Sequence, residues 1–193
     1  MNLDTVITFF DGRAAAWDTQ RQPDEQTVNR ILNAADIQPG DTVLDVACGT
    51  GVLFPYYLNR SVARITGVDV SQSMIAEAKR KFSNPCIHFV CADAQAECFA
   101  QHDKCVVFNA LPHFANPELL IGSLRDALRP GGRLTIAHSE NRHKINERHQ
   151  SRALEVSHSL MPAAELAVLF EPYFRVDHIV DDADYYLVSG KRI

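Results

Sequence analysis

The chain has 193 residues and a formal net charge of −5, with 46% hydrophobic and 22% charged residues. This length suits one folded domain, and no apolar run reaches the roughly 18 residues that a membrane-spanning segment needs. A net negative charge argues against a protein whose affinity depends on neutralising nucleic-acid phosphates. Asp4 lies where a secretory signal carries positive charge, so we expect a cytoplasmic protein that binds neither nucleic acid nor membranes. The sequence pattern leaves the oligomeric state open.

The N-terminal region, residues 1–36, is expected to form a flap and a helix ahead of the main fold. The flap is the aromatic-rich stretch Phe9–Asp18, and the helix is predicted over Asp24–Ala35. From residue 42 onward, short β-branched segments alternate with helical ones, a pattern typical of βαβ units around a parallel sheet. The five predicted strands of this sheet are Thr42–Ala47, Arg64–Val70, Ile87–Cys91, Cys105–Asn109 and Arg133–His138.

Capping residues indicate where helices lie between these strands. Ser71 is a good N-cap for the helix after the second strand, because its hydroxyl can accept an early backbone N–H. Asn116 and Pro117 begin another helix. The run Arg-Pro-Gly-Gly at 129–132 ends that helix and leads into the fifth strand.

The C-terminal part begins with a polar insert, residues 139–161, which is too rich in charge to be a core helix. A helix is predicted over Ala163–Phe170. Two further strands, Phe174–Val180 and Tyr185–Ser189, follow it and are joined by a short polar turn. Strands joined so closely must be antiparallel.

The most specific motif is a strand that runs into a glycine turn at residues 42–51. Gly49 and Gly51 lack a Cβ atom, so the backbone can turn sharply and approach a ligand closely. A dinucleotide fingerprint requires a third glycine where this chain has Phe54, and the Asp45 carboxylate would repel a pyrophosphate. The loop therefore favours a ligand with a cationic amino group over a nicotinamide dinucleotide.

Two more acidic residues lie at strand ends beyond this loop. Asp69 ends the second predicted strand, where a carboxylate can accept hydrogen bonds from both hydroxyls of a ribose. Asp93 follows the third strand, where it can accept a hydrogen bond from an exocyclic adenine amine beside the Ala94 amide. Ligands of open α/β sheets bind outside the carboxyl ends of the strands, so acids at three consecutive strand ends indicate a ligand site.

These motifs resemble those of the class I S-adenosylmethionine-dependent methyltransferases, especially the ubiquinone/menaquinone-type and other small-molecule members. The likeness extends from about residue 29 to residue 190. The matching motifs are residues 45–51, 67–71, 92–94 and 128–134. The resemblance implies one α/β domain over residues 1–193, with a Rossmann-like, seven-stranded, mostly parallel sheet, an antiparallel C-terminal hairpin strand and helices on both faces. It also implies methyl transfer from S-adenosyl-L-methionine to a small-molecule acceptor.

The resemblance further implies which residues contact the cofactor. They are expected to be Trp17, Asp45, Ala47, Cys48, Gly49, Gly51, Asp69, Val70, Met74, Asp93, Ala94 and Asn109. In related enzymes an N-terminal flap covers cofactor and acceptor, so Phe9, Phe10 and Trp17 are expected to do so here. The alternative is that these aromatic residues only anchor the first helix.

Three histidines are candidates for acceptor chemistry. His113 follows the fourth strand and His138 ends the fifth, so both are expected to face one pocket, where a neutral imidazole can take a proton. A helix in the insert would place Arg142, Asn146 and His149 on one face that closes over the acceptor, and the alternative is a solvated face. The three histidines could instead bind zinc. Their spacing is not that of a metal motif, and we predict no metal site.

Two other functions fit the same glycine turn. A noncatalytic module could bind S-adenosylmethionine as a sensor. A nicotinamide-dependent oxidoreductase could use a related turn, although Asp45 and Phe54 disfavour it.

Overall fold

The computed structural model describes residues 2–19, 23–152 and 155–193. Residues 20–22 of the predicted N-terminal region and residues 153 and 154 of the predicted insert lie outside the described residues. Within the described ranges, no helix is long and apolar enough to span a membrane.

Seven strands form one sheet in the order β3-β2-β1-β4-β5-β7-β6. Their bounds are β1 Thr42–Val46, β2 Arg64–Asp69, β3 Ile87–Cys91, β4 His102–Phe108, β5 Leu128–His138, β6 Phe174–Asp181 and β7 Tyr186–Arg192. Strands β1 to β5 pair in parallel, and β7 pairs antiparallel with both β5 and β6. The predicted mostly parallel sheet with an antiparallel C-terminal hairpin strand is confirmed.

Helices cover both faces of this sheet, as predicted. Their bounds are α1 Leu3–Asp11, α2 Glu25–Ala34, α3 Phe54–Asn59, α4 Gln72–Lys81, α5 Pro117–Asp126, α6 Arg142–Arg152 and α7 Ala163–Phe170. Successive side chains of a strand point to opposite faces, so Val43 packs in the core with α2, α3 and α4. Leu44 packs in the second core with α5 and α7. Burial of these two apolar cores stabilises the sheet from both sides.

Two strands begin earlier than the sequence predicts. Strand β4 begins at His102 and β5 at Leu128, because these two residues pair with each other. A register shift separates this pair from the regular pairing, which begins with Lys104 and Arg133. The Arg-Pro-Gly-Gly run therefore lies inside β5 as an irregularity, with Gly131 at a φ of 75° that a glycine adopts without strain. The C-terminal hairpin turn is stabilised by Asp182, whose carboxylate accepts the backbone N–H groups of Asp184 and Tyr185.

The stretch predicted as a flap is the end of α1 followed by a 3-10 helix over Ala14–Thr19. This 3-10 helix is tied to the rest of the protein through Asp18. The Asp18 carboxylate accepts the Thr50 hydroxyl at 2.6 Å and the Lys81 ammonium at 2.8 Å. The N-terminal segment is thereby held against the glycine turn and α4.

Candidate functional site

A cavity of about 940 Å³ opens at the carboxyl ends of β1 to β5. Ligand pockets in proteins are usually about 300–1,000 Å³, so this one has room for two ligands side by side. One half, here the glycine-loop half, is lined by Ala47, Cys48, Gly49, Asp69, Val70, Met74, Ala92, Asp93 and Ala94. The other half, here the histidine half, is lined by Phe9, Phe10, Asn109, His113, Phe114, Ser139, Glu140, Arg148 and His149.

The two glycines of the turn have different roles. Gly49 has a φ of 54° and lines the cavity, and a Cβ atom there would meet only Trp17 Nε1, at 4.0 Å. Gly51 has a φ of 86° and is not part of the cavity wall, since an added Cβ would lie 2.7 Å from Phe54 Cδ2. The structure therefore places Gly49 where a ligand can approach the backbone. Gly51, expected at the cofactor, instead allows close packing of Phe54.

Asp69 is buried at the end of β2 and lines the glycine-loop half. Its Oδ2 accepts the Gly49 backbone N–H at 2.8 Å, and its Oδ1 accepts the Ser71 N–H at 2.9 Å. Burial raises the pKa of Asp69, and these two hydrogen bonds oppose the increase. Each carboxylate oxygen keeps a second lone pair for a ligand donor.

Asp45 lies behind the glycine turn and outside the cavity wall. Its side chain is buried, and its carboxylate accepts no hydrogen bond from any described residue. Burial raises the pKa of Asp45 well above its usual value, and the Asp69 charge adds to this effect. Asp45 is not among the residues that line the cavity, and its expected contact with the cofactor stays a prediction.

Asp93 and Asn109 line the cavity at the ends of β3 and β4. Asp93 Oδ1 accepts the Gln95 N–H at 2.9 Å, which forms a tight turn beside Ala94. Asn109 has a φ of 56°, and its Oδ1 accepts the Ser139 N–H at 2.8 Å. This second contact ties the end of β4 to the end of β5.

His113 and His149 come together in the histidine half, with ring centroids 5.3 Å apart. His113 Nδ1 lies 2.8 Å from the Val156 carbonyl oxygen, which can only accept, so Nδ1 carries the proton and Nε2 carries a lone pair. Burial lowers the pKa of His113, and the Arg148 charge lowers it further. Burial, followed by the charges of His113 and Arg148, lowers the pKa of His149 to about 4. Both rings are neutral at pH 7.

His138 does not share this pocket wall. It is 2% exposed, is absent from the cavity lining and packs edge-on against Tyr186 with ring centroids 5.8 Å apart. Burial, followed by the nearby histidines, lowers the pKa of His138 to about 3. The expectation that His113 and His138 face one pocket is not met, because the His138 ring is buried against Tyr186, its partner on β7.

The insert forms helix α6, but its expected face divides into two parts. Arg142 is ion-paired with Asp181 at 2.9 Å, and Asn146 accepts the Leu160 N–H at 2.7 Å. These two residues fix the helix, whereas Arg148 and His149 line the cavity. Arg148 is ion-paired with Glu140. Within the described ranges, no three His, Cys, Asp or Glu side chains are grouped so that they could hold a metal ion.

Comparisons with known proteins identify the family. Residues 43–132 match the family model of a methyltransferase domain. Demethylmenaquinone methyltransferase from Paenarthrobacter aurescens is 30% identical over 141 residues, which are 69% of this chain and 54% of that protein. The chain spans 32% to 58% of the length of four curated relatives that it matches.

Solved structures share the fold. A chain from the complex between the Haloferax volcanii Trm112 methyltransferase activator and a methyltransferase matches with a TM-score of 0.78 and 18% identity, over 95% of this chain and 97% of that chain. Geranyl diphosphate C-methyltransferase from Streptomyces coelicolor, in complex with S-adenosyl-L-homocysteine, matches with a TM-score of 0.69 and 12% identity, over 87% and 76%. Residues 43–132 thus belong to the methyltransferase domain family, and the fold of the chain is that of S-adenosylmethionine-dependent methyltransferases.

The glycine-loop half of the cavity fits S-adenosylmethionine, the cofactor of similar methyltransferases. S-adenosylmethionine carries a cationic amino group, ribose hydroxyls and an adenine ring. The open backbone at Gly49, the Asp45 carboxylate without a hydrogen-bond donor among the described residues and the Asp69 carboxylate on the cavity wall suit the first two groups. Val70 and Met74 provide apolar surface for the third.

The sequence does not single out Arg148, which lines the cavity, or Asp11, which contacts the start of α4. Arg148 lies in a polar helical segment, and the sequence alone does not distinguish it from its exposed neighbours. Asp11 bonds to Ser71, which lies 60 residues away. Only the helical spacing of apolar residues in Leu3–Asp11 indicates that this segment packs on the site.

Proposed function

We propose that the protein transfers a methyl group from S-adenosyl-L-methionine to a small-molecule acceptor. The observation that supports this most strongly is the single cavity that joins the glycine-loop half to the histidine half. A sensor needs only the first half. The second half provides room and a proton acceptor beside it, which is what methyl transfer to a protic group requires.

In this proposal the glycine-loop half holds the cofactor. Asp69 accepts the ribose hydroxyls with its remaining lone pairs, and the backbone at Gly49 lies against the amino-acid portion. Asp93 and Ala94 contact the adenine, with Val70 and Met74 on its faces. Asp45 acts from behind the turn on the cationic amino group, because opposite charges attract strongly where water is scarce.

The cofactor supplies an electrophilic methyl group on sulfur, and the chain's residues position the acceptor and receive its proton. His113 Nε2 is oriented by the Nδ1–H bond to Val156 and accepts the proton of the acceptor as the bond to the methyl group forms. Two neutral imidazoles and Arg148 face this half, and Glu140 is ion-paired with Arg148. The acceptor that suits this charge pattern is an uncharged or anionic molecule, not a cationic amine.

A small acceptor is supported by the walls of the cavity and by a relative. Phe9, Phe10 and Phe114 give the histidine half an apolar lining that suits an organic ring or chain. The relative from Paenarthrobacter aurescens is named for methylating demethylmenaquinone, also a small molecule. The net charge of −5 gives no overall attraction to a nucleic acid.

Calorimetric titration with S-adenosylhomocysteine and NADH tests the cofactor. We expect only S-adenosylhomocysteine to bind, and preferential binding of NADH would overturn the proposal. Formation of S-adenosylhomocysteine from S-adenosylmethionine in the presence of a small-molecule extract then separates an enzyme from a sensor, since a sensor binds without turnover.

A further inference from the structure

Helix α1 covers the histidine half of the cavity. Leu3, Val6, Phe9 and Phe10 line the cavity from this helix. Their spacing along the chain places them on one side of the helix. The last two residues of α1, Phe10 and Asp11, contact opposite halves of the site.

Asp11 contacts the beginning of α4 on the cofactor side. Its Oδ1 accepts the Ser71 hydroxyl at 2.5 Å and the Ser73 N–H at 3.0 Å. Helix α4 has no acidic residue in its own first turn, so Asp11 provides the negative charge that a helix N-terminus favours. These hydrogen bonds, that from Ser71 most strongly, lower the pKa of Asp11.

Ser71 connects this contact to the glycine turn. Its backbone N–H donates to Asp69 at 2.9 Å, and Asp69 accepts the Gly49 N–H at 2.8 Å. A continuous series of hydrogen bonds therefore joins Asp11 to the two residues that border the proposed cofactor position. Ser71 is fully buried, which keeps water from competing for these bonds.

Phe10 contacts the other half of the site. Its ring lies edge-on to His113 with centroids 5.0 Å apart, and edge-on to Trp17 with centroids 5.6 Å apart. Trp17 in turn lies closest to the open side of Gly49. The Phe10 ring thus fills the space between the glycine turn and the proposed base, and it restricts how the His113 ring can turn.

We propose that Asp11 and Phe10 are positioning residues that couple the two halves: the hydrogen bonds of Asp11 to Ser71 and Ser73 hold α1 against the start of α4, and Phe10, at the end of the same helix, thereby fixes the His113 ring. This inference rests on the proposed function for the identity of the ligand. The contacts themselves belong to the chain, and they can be tested without turnover.

The test replaces Asp11 by Ala and uses Asp4→Ala as the matched control, because Asp4 lies on the same helix and its side chain is exposed. Trp17 is the only tryptophan of the chain, so its fluorescence reports on the N-terminal segment alone. With saturating S-adenosylhomocysteine, we expect acrylamide to quench Trp17 at least about twofold more strongly in Asp11→Ala than in the control, because a less stably closed segment opens more often. Affinity for S-adenosylhomocysteine should fall less than about tenfold, since no residue proposed to face the cofactor is changed.

A second readout follows the His113 ring by nitrogen NMR. The Nδ1–H tautomer should dominate in the control and give way to a mixture in Asp11→Ala and in Phe10→Leu, and Asp11→Asn should restore it because the amide oxygen can accept the same two hydrogen bonds. Equal quenching and equal tautomer signals in Asp11→Ala and the control would overturn the inference. If S-adenosylhomocysteine fails to bind even the unmutated protein, the proposed function is wrong, and quenching of the ligand-free variants then tests the Asp11 contact alone.

Discussion

At the scale of single residues, the glycine turn contains two glycines with different structural roles. Gly49 keeps a surface open to the cavity, whereas Gly51 accommodates the ring of Phe54. Both have positive φ, so any larger residue is also strained there. Only at Gly49 would a side chain occupy space that a ligand needs, and a substitution there should act on binding.

Replacement of Gly49 by Val should abolish the binding of S-adenosylhomocysteine. We expect a loss of affinity of at least about 100-fold, equivalent to about 2.7 kcal/mol, measured by calorimetry. Gly122→Val is the control, because a Cβ atom at Gly122 meets nothing within 4 Å and its helix leaves φ unstrained. A folded Gly49→Val protein with unchanged affinity would contradict the placement of the cofactor.

Replacement of His113 by Asn tests the base, because the Asn amide can still donate to the Val156 carbonyl. Turnover should fall by about 10²–10⁴-fold with little change in S-adenosylhomocysteine affinity. The pKa of His113 is lowered, so activity should decline only as the pH falls through a value below 6.5. His88→Asn is the control, since His88 is exposed on β3. Equal turnover of the two variants would assign His113 a structural role.

At the scale of elements, helix α6 and the residues that follow it build the histidine half together. Asn146 of α6 holds Leu160 through two hydrogen bonds, and the Val156 carbonyl between them orients His113. Arg142 anchors the start of the helix to Asp181. A polar insert thus positions the proposed base through backbone contacts that its sequence does not reveal.

Replacement of Asn146 by Ala should therefore destabilise the protein. It leaves the Leu160 N–H and carbonyl without their partner, at a cost of about 1–3 kcal/mol in the free energy of unfolding by urea. Glu147→Ala on the same helix is exposed and should change this free energy by less than about 0.5 kcal/mol. Indistinguishable values for the two variants would show that the Asn146 contacts contribute nothing to stability.

At the scale of the whole molecule, strand positions could be predicted because a short run of β-branched residues is a local property of the sequence. The direction of a side chain at a strand end could not be predicted from the sequence. Asp45 and His138 lie at strand ends near the site but are not among the residues that line the cavity, since the burial of such a side chain depends on its neighbours in the fold, such as Tyr186 beside His138. The contact of Asp11 with Ser71 depends on folding that brings together residues far apart in sequence.

Stability should depend on pH through His138. Its folded pKa is about 3 and its unfolded value about 6.5, so the unfolded state binds the proton first and stability falls as the pH drops below 6.5. At pH 5 this group should account for a loss of about 2 kcal/mol relative to neutral pH. Urea unfolding of His138→Phe should show a smaller fall between pH 7 and pH 5. An identical fall in the variant would mean that His138 is not buried as a neutral ring.

The proposal of methyl transfer to a small molecule is tested most directly by following a labelled methyl group. The purified protein is incubated with methyl-labelled S-adenosylmethionine and a cell extract separated into small molecules, protein and nucleic acid. We expect the label to appear in the small-molecule fraction and to be lost with His113→Asn. Label that accumulates in protein or nucleic acid, or that stays on S-adenosylmethionine in every fraction, would contradict methyl transfer to a small molecule.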